Sequence, residues 1–334
     1  MTILVTGGAG YIGSHMVHAL VDAGESVVVL DNLSTGFRFL VPEHVPFVLG
    51  STGDRDLVAE LIAEHEVSAI IHFAASIVVP DSVKDPLGYY RNNTMNTCLL
   101  LDTAVACGVK QFIFSSTAAV YGNPQSVPVR EDAPTIPISP YGTSKLMSEI
   151  MLHDTARAHD LRFVVLRYFN VAGADPQQRT GQSTAGATHL IKVASEVALG
   201  RRPKLAVYGT DYPTPDGTCI RDYIHVSDLA RAHLAALGYL RDGGASATFN
   251  CGYGHGYSVL EVIAAVRRVS GHDFPVEMAG RRPGDPAELV ANVDRIKVTL
   301  GFKPRYDDLD LIVQHALAWE RRMMSNPIRR ATSD

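Results

Sequence analysis

The sequence predicts an α/β fold, in which a doubly wound parallel sheet is joined to a smaller mixed α/β lobe. Two observations predict it. Short apolar strands alternate with amphipathic helices over the first half of the chain, as in parallel sheets that helices cover on both faces. After Asn170 the alternation gives way to a segment rich in Gly, Gln, Thr and Ala. We therefore expect a first domain over residues 1–170 and a second mainly over 171–334, with elements near 221–252 joining the first.

Apolar periodicity and the residues that end each run define the elements. A strand over residues 2–6 leads through glycines into a helix over 11–23, which ends before Gly24. The same alternation continues with strands at 26–30, 68–73, 110–115 and 163–168, and with helices at 54–65, 87–107 and 141–158. In the second domain helices are expected at 226–240, 258–270 and 309–324, whereas the prolines and glycines of 211–222 predict a loop.

The composition is that of a globular protein, and its charges predict no extended surface for binding nucleic acid or an anionic membrane. The 334 residues carry a net charge of −5, and Lys and Arg are scattered, which provides no basic patch for nucleic acid or membrane. No apolar run is long enough to span a bilayer and none resembles a leader, so a cytoplasmic protein is expected. The four cysteines form no CxxC pair, so we interpret them as buried thiols and expect no metal site. They are Cys98, Cys107, Cys219 and Cys251.

The glycine string TGGAGYIG, residues 6–13, lies between the first strand and the first helix. In that position Gly8 is expected to allow a tight turn, Gly10 to admit a pyrophosphate close to the backbone, and Gly13 to let helix and strand pack closely. The free N–H groups of the helix N-terminus would face the anion. The string therefore predicts a Rossmann-type dinucleotide site.

Asp31 ends the second strand, where a carboxylate can accept hydrogen bonds from both ribose hydroxyls of an adenosine. A 2′-phosphate would meet this negative charge at short range, so the predicted cofactor is NAD rather than NADP. The alternative is a glycine turn followed by a surface aspartate. The joint presence of strand, helix, glycines and acid favours the cofactor site.

A YxxxK pair opens the helix that follows Pro140. Tyr141 and Lys145 are four residues apart and share a helix face. Lys145 and a positive nicotinamide ring would favour the phenolate of Tyr141, which could then remove a proton from a sugar hydroxyl. Thr117, at the end of a strand, could hydrogen-bond the reacting oxygen. The alternatives are a solvated lysine after a helix-start tyrosine, and a threonine that caps the strand end.

Beyond these motifs, the chain resembles the extended short-chain dehydrogenase/reductase family. The strings that carry the likeness are SST at 115–117, YGTSK at 141–145, NN at 92–93, AVYG at 119–122, RYFN at 167–170 and GTCIRDYIHV at 217–226. Within that family they are similar to the enzymes that epimerise C4 of a UDP-hexose. The likeness extends to about Met324.

The resemblance implies one set of NAD contacts and one set of UDP-sugar contacts. The implied cofactor residues are Gly7, Gly10, Tyr11, Ile12, Gly13, Asp31, Asn32, Ser51, Phe73, Ala74, Asn93, Ser115, Tyr141, Lys145 and Tyr168. The implied substrate residues are Thr117, Tyr141, Asn170, His189, Leu190, Ala206, Tyr208, Arg221, Arg282 and Asp285. Two of these, Arg221 and Arg282, would neutralise a diphosphate, and structural salt bridges are their alternative role.

The resemblance implies reversible epimerisation between UDP-glucose and UDP-galactose through a transient 4-keto sugar. Ala118 and Ala119 follow Thr117 where dehydratases of the family carry acids, so epimerisation is favoured over dehydration. The UDP-xylose/UDP-arabinose pair or a UDP-uronate is an alternative substrate, and a nucleotide-sugar-binding regulator is an alternative of another class. Three positions depart from the family pattern: Ser51 replaces an Asp, Ile77 a Lys and His189 an Asn.

Two further expectations concern assembly and substrate size. Helices 87–107 and 141–158 carry more apolar residues than one sheet-facing stripe needs, and relatives that resemble this chain pair such helices in a homodimer. The surplus residues include Leu99, Leu100, Leu101, Met147 and Ile150. After the string RPGD at 282–285, Leu289 aligns with the position that borders the 2-substituent of the sugar. The alternative is that Leu289 only packs in a strand over 289–291.

Overall fold

The structure, a computed structural model, describes residues 1–282 and 285–325. Its strands are, in chain order, β1 (Thr2–Thr6), β2 (Ser26–Asp31), β3 (Phe47–Leu49), β4 (Val67–His72), β5 (Gln111–Thr117), β6 (Arg162–Tyr168), β7 (Asn170–Ala172), β8 (Leu205–Tyr208), β9 (Ile220–Arg221), β10 (Tyr223–His225), β11 (Ala247–Cys251), β12 (Tyr257–Ser258), β13 (Val276–Ala279) and β14 (Glu288–Leu289). Its helices are α1 (Tyr11–Asp22), α2 (Arg55–Glu64), α3 (Val79–Lys84), α4 (Pro86–Tyr89), α5 (Asn96–Ala106), α6 (Pro140–Ala158), α7 (Leu190–Ala198), α8 (Val226–Arg241), α9 (Val259–Ser270), α10 (Asp294–Leu300) and α11 (Leu309–Ser325).

Seven parallel strands form the central sheet, in the order β3-β2-β1-β4-β5-β6-β11. The middle strands bury both faces under helices, and Ile3, Leu4 and Val5 of β1 are fully buried. The predicted fold class, a doubly wound parallel sheet, is confirmed. Because the strand order reverses between β1 and β4, a crevice opens at their carboxyl ends, which is where such sheets bind ligands.

The last strand of this sheet comes from the second half of the chain. β11 pairs with β6 in parallel from Ala247 beside Val164 to Cys251 beside Tyr168. An element beyond residue 170 therefore completes the first sheet. The division of the chain at 170/171 stays a prediction, and residues 283, 284 and 326–334 of its second part lie outside the described residues.

In the part of the chain that the structure describes, the smaller lobe contains three short sheets and a helical group. β7 pairs with β10, β9 lies between β12 and β14, and β8 pairs with β13. Helices α7, α9 and α11 pack against one another beside them. Trp319 of α11 is fully buried, and a Cβ at Gly181 would meet its ring at 2.4 Å.

The predicted helix over 87–107 is divided in the structure. A π-helical turn, Tyr90–Met95, separates α4 from α5. The turn carries the buried Asn93, whose side chain donates to Ser76 O at 2.9 Å and to Ser144 Oγ at 3.0 Å. Such wider turns occur frequently at functional sites.

Several smaller predictions were wrong. The loop over 211–222 ends early because Ile220–Arg221 form β9, and the strand expected at 289–291 is Glu288–Leu289. Leu100 and Leu101, expected as surplus apolar residues, lie in the core with β4 and β5 because their side of α5 faces the sheet. Cys98 and Cys107 are exposed rather than buried, whereas Cys219 and Cys251 are buried. No helix within residues 1–282 and 285–325 is both long and apolar enough to cross a membrane.

Candidate active site

The glycine loop after β1 turns at Gly7, where the prediction had placed the turn at Gly8. Gly7 has φ +69°, and a Cβ there would lie 2.6 Å from the backbone nitrogen of Ala74. The residues after β4 therefore approach the loop so closely that only glycine fits. At Gly8 a Cβ would instead meet the side chain of Val29 at 2.8 Å, so this glycine serves packing.

The start of α1 has the form of a pyrophosphate site. A Cβ at Gly13 would lie 2.1 Å from Gly7 O, so helix and loop touch there as predicted. At Gly10 the nearest described atom, Gly7 O, is 3.3 Å from an added Cβ, and the outer side of the loop is open. The N–H groups of the first turn, from Tyr11 onwards, have no partner within the helix. This cradle fits the diphosphate of a dinucleotide.

Asp31 organises the same loop from the end of β2. Its Oδ2 accepts from Ala9 N at 2.9 Å and its Oδ1 accepts from Leu33 N at 2.8 Å. The residue is 7% exposed, so it is not the surface aspartate of the alternative interpretation. Burial raises the pKa of the carboxyl group and the two backbone N–H donors oppose the rise. Each oxygen retains a second acceptor position for a ribose hydroxyl.

Several predicted cofactor residues also hold the site together through internal hydrogen bonds. The hydroxyl of Tyr11 donates to Gly173 O at 2.7 Å. Asn32 Oδ1 accepts from Ser34 N at 3.0 Å, and Ser51 Oγ accepts from Gly53 N at 3.2 Å. Phe73 N donates to Thr6 O at 2.9 Å, which joins the ends of β4 and β1. These residues therefore shape the crevice whatever contacts they make with a ligand.

The structure brings the predicted catalytic residues together. Tyr141 lies in the first turn of α6, close enough to Thr117 for the threonine hydroxyl to act on the pKa of the phenol. One turn later, Lys145 Nζ donates to Ser115 O at 2.7 Å and lies 4.8 Å from the centre of the Phe114 ring. Thr117 Oγ1 also accepts from Ala119 N at 3.1 Å, so the predicted alternative of a strand-end cap holds alongside the contact with Tyr141.

The expected bias toward a phenolate is not present in the chain alone. Burial raises the pKa of Tyr141 to about 12, although the hydrogen bond with Thr117 opposes the rise. Burial also lowers the pKa of Lys145 to about 7, and the carboxylate of Glu149 opposes that change. The ammonium group of Lys145 donates to the backbone carbonyl of Ser115, near the end of β5.

A buried ion pair beneath this cluster was missed by sequence reasoning. Arg167 Nη2 donates to Glu149 Oε2 at 2.7 Å, with both side chains less than one tenth exposed. Ser116 Oγ also donates to Glu149. Nearby, Tyr168, a predicted cofactor residue, is hydrogen-bonded to His233 of α8. Glu149 lies one turn after Lys145, and this helical spacing was the available signal.

Predicted substrate residues line a cavity beside α7 and α11. Asn170, His189 and Leu190 share its wall with Gln182 and Lys192. Gln182 Nε2 lies 2.7 Å from His189 Nδ1, and burial lowers the pKa of His189, so the ring is neutral near pH 7. The ammonium group of Lys192 is bonded to Glu320 and lies 3.2 Å from Glu196 Oε1, so its charge is already neutralised. 

The predicted diphosphate residues lie in β9 and after β13. Arg221 Nη2 is 3.8 Å from Asp285 Oδ1, too long for a hydrogen bond, while its Nη1 donates to Ile220 O at 2.9 Å. The guanidinium of Arg282 lies 3.6 Å from the centre of the Tyr208 ring. Both arginines therefore retain donors for an anion. Ala206 lies in β8, two residues before Tyr208, and Pro283 and Gly284 of the RPGD string lie outside the described residues.

Comparisons with known proteins give concordant results. The model of the NAD dependent epimerase/dehydratase family matches residues 3–252. UDP-glucose 4-epimerase of Azospirillum brasilense is 60% identical over 321 residues, 96% of this chain and 92% of that protein. The crystal structure of UDP-glucose 4-epimerase from Brucella ovis in complex with NAD superposes with a TM-score of 0.92, at 46% identity over 95% of this chain and 97% of that one. The UDP-Glc/GlcNAc 4-epimerase from Campylobacter jejuni superposes with a TM-score of 0.84, at 49% identity over 96% and 99%.

Proposed function

The chain belongs to the NAD dependent epimerase/dehydratase family, and we propose that it interconverts UDP-glucose and UDP-galactose at C4 with NAD held throughout. The observation that carries this proposal is the cluster of Tyr141, Thr117 and Lys145 at the carboxyl ends of the sheet. It lies at the same carboxyl-terminal edge of the sheet as the glycine loop and Asp31.

The chemistry divides between the cofactor and the chain. When bound, NAD would supply a reversible acceptor for the C4 hydrogen and its electron pair. Tyr141 removes and restores the proton of the 4-hydroxyl, and Thr117 orients that oxygen. Lys145 holds the ribose next to the nicotinamide and, once its ammonium faces the phenol, stabilises the phenolate that burial alone disfavours. Arg221 and Arg282 hold the diphosphate while the 4-keto sugar rotates to present its other face.

The test is to incubate the purified protein with single UDP-sugars and to separate the products by chromatography. We expect UDP-glucose and UDP-galactose each to approach the same mixture without added NAD. Conversion of only UDP-xylose or a UDP-uronate would favour the alternative substrates, although the paired Lys192 offers a uronate no free positive charge. No turnover with any UDP-sugar would favour a binding protein.

Cofactor choice is expected to depend on Asp31. In Asp31→Ala the ratio of the NADP to the NAD dissociation constant should fall about tenfold or more, because a negative charge near the 2′-phosphate is removed. Asp31→Asn is the matched control for lost packing, since it keeps the volume of the side chain beside Ala9 and Leu33. Dissociation constants are measured on cofactor-free protein by fluorescence. An unchanged ratio in both variants would remove Asp31 from the ribose site.

Substrate size is expected to depend on Leu289. Leu289 pairs in parallel register with Arg221, so the two side chains lie on the same face of their sheet. The residue is partly buried against the core, so packing and gating are compatible roles. The kcat/KM of the chain should be higher for UDP-galactose than for UDP-N-acetylgalactosamine. Leu289→Tyr should increase the ratio of the two kcat/KM values and Leu289→Ser should decrease it, each by the equivalent of ~1 to 3 kcal/mol. If neither substitution changes the ratio, another residue limits the pocket.

We propose a homodimer formed through α3, α4 and α6. These helices pack together and leave large apolar side chains exposed, Val83 and Leu87 at 64%, Ile150 at 52% and Met147 at 41%. Such a patch is typical of an interface. Light scattering should report twice 36.1 kDa for the native chain and a shift toward monomer for Ile150→Glu. Val298→Glu on α10, at an 85% exposed residue, is the control and should stay dimeric. A native monomer would contradict the proposal.

We also place the protein in the cytoplasm. All four cysteines are free thiols, including the exposed Cys98 and Cys107. Exposed thiols persist in reducing compartments, whereas oxidising ones favour disulfides.

A further inference from the structure

Asp222 bonds to segments of the substrate lobe that are distant from it in the sequence. The residue lies between β9 and β10 and is fully buried. Its Oδ1 accepts from Tyr253 N at 2.8 Å, and its Oδ2 accepts from Gly254 N at 2.9 Å and from Ala291 N at 3.2 Å. One carboxylate therefore joins the loop after β11 to the segment after β14.

The backbone of Asp222 makes two further connections. Its carbonyl oxygen accepts from Asn170 N at 2.8 Å, and its own N–H donates to Leu289 O at 3.2 Å. Arg221 precedes it directly in β9 and pairs in register with Leu289. Three proposed substrate residues thus take their positions from one buried residue.

The charge of Asp222 is balanced by backbone donors. The three backbone N–H groups compensate for its removal from water, and burial raises the pKa of the carboxyl group to about 6 against their effect. Space around it is limited, since a Cβ at Gly252 would lie 2.4 Å from Oδ2. An amide in its place has one acceptor oxygen fewer, and a displaced side chain moves both oxygens, so at least one of the three contacts is lost and the loop and the β14 segment are held less firmly.

We propose that Asp222 is a positioning residue for the nucleotide-sugar. Its carboxylate fixes the loop after β11 and the segment after β14 around β9, and its backbone joins Asn170 and Leu289 beside Arg221 in the arrangement that binds diphosphate and sugar. The inference rests on the proposed function. Asp222 acts on binding and does not touch the reacting atoms, so its loss raises KM and the inhibition constant for UDP while kcat changes little.

Asp228 provides a matched control for a merely structural role. It is also a fully buried carboxylate, and it accepts from Tyr253 Oη at 2.8 Å, Tyr306 N at 2.8 Å, Arg305 N at 2.9 Å and Arg231 Nη1 at 3.2 Å. None of these partners is among the proposed substrate residues. Asp228→Asn should therefore lower thermal stability about as much as Asp222→Asn does, without the change in KM.

The experiment measures kcat, KM for UDP-galactose, the UDP inhibition constant and Tm for the wild type, Asp222→Asn and Asp228→Asn. We expect KM and the inhibition constant to rise at least tenfold in Asp222→Asn, with kcat within threefold, and both to stay within twofold in Asp228→Asn. Gly252→Ala displaces the carboxylate without removing its charge, so it should raise KM and the inhibition constant in the same way. This variant replaces Asp222→Asn in the test if Asp222→Asn does not fold.

The outcomes separate the inference from the function on which it rests. A wild type without turnover contradicts the proposed function. A wild type with turnover, but with KM unchanged in both Asp222→Asn and Gly252→Ala, overturns the positioning role. An equal rise of KM in Asp228→Asn also overturns it, because general loosening of the lobe would then explain the effect.

Discussion

Replacing Tyr141 with phenylalanine is expected to lower kcat about 10³-fold, within the range usual for loss of a general acid–base group. The substitution removes one hydroxyl, which bonds with Thr117, and leaves the ring beside Tyr89 in place. KM and bound NAD should stay close to wild type, since the ring of Tyr141 remains and most of the expected contacts with diphosphate and cofactor come from other residues. Single-turnover kinetics with UDP-galactose measure the effect.

The control is Tyr89→Phe. Tyr89 contacts the Tyr141 ring at 6.5 Å between centroids and donates its hydroxyl to Val78 O at 2.6 Å, outside the catalytic cluster. Its loss should change kcat by no more than about threefold. Near-normal turnover in Tyr141→Phe, or an equal loss in both variants, would remove Tyr141 from the proton transfer.

Replacing Arg167 with methionine is expected to lower the free energy of unfolding by about 3 to 5 kcal/mol. Glu149 would then keep Ser116 as a donor but lose the buried guanidinium that now binds both of its oxygens. An uncompensated buried carboxylate is costly, because neither water nor a counter-ion replaces the lost partner. Urea denaturation followed by circular dichroism measures the change.

The double variant Arg167→Met, Glu149→Met distinguishes the pair from general packing. With both charges removed, much of the lost stability should return, since two apolar side chains need no partner. Tyr121 keeps a hydrogen bond to Asn250 Oδ1 at 2.7 Å in either variant. A double variant no more stable than Arg167→Met would show that shape, rather than unpaired charge, explains the loss.

Five of the seven strands of the sheet, β1, β2, β4, β5 and β6, could be predicted because their signals are local, whereas β3 and β11 were not predicted. Each of these five strands is a short apolar run bounded by turn residues, and the helices keep their 3.6-residue period. The π-helical turn at Tyr90–Met95 could not be predicted, since it depends on hydrogen bonds from Asn93 to Ser76 and Ser144, which are distant in sequence. Leu100 was misplaced for a related reason: periodicity defines a stripe but not which neighbour covers it.

In the candidate site, too, the local features could be predicted and the contacts between distant residues could not. Tyr141 and Lys145 could be paired from their spacing alone, because residues four apart share a helix face. The tight turn is at Gly7 rather than at Gly8 because the backbone of Ala74 leaves no room for a Cβ at Gly7. Ala74 follows β4 and is distant from the glycine loop in sequence, so the sequence could not show this contact. The three amides around Asp222 are equally distant in sequence, so its role became visible only in the fold.

The central claim is that the C4 hydrogen leaves and returns within one bound sugar. The most direct measurement uses UDP-galactose deuterated at C4, incubated with the protein in ordinary water without added NAD, with the product analysed by NMR. We predict that UDP-glucose forms with deuterium fully retained at C4. Product carrying protium at C4 would contradict the account, because it would require exchange of that hydrogen with solvent.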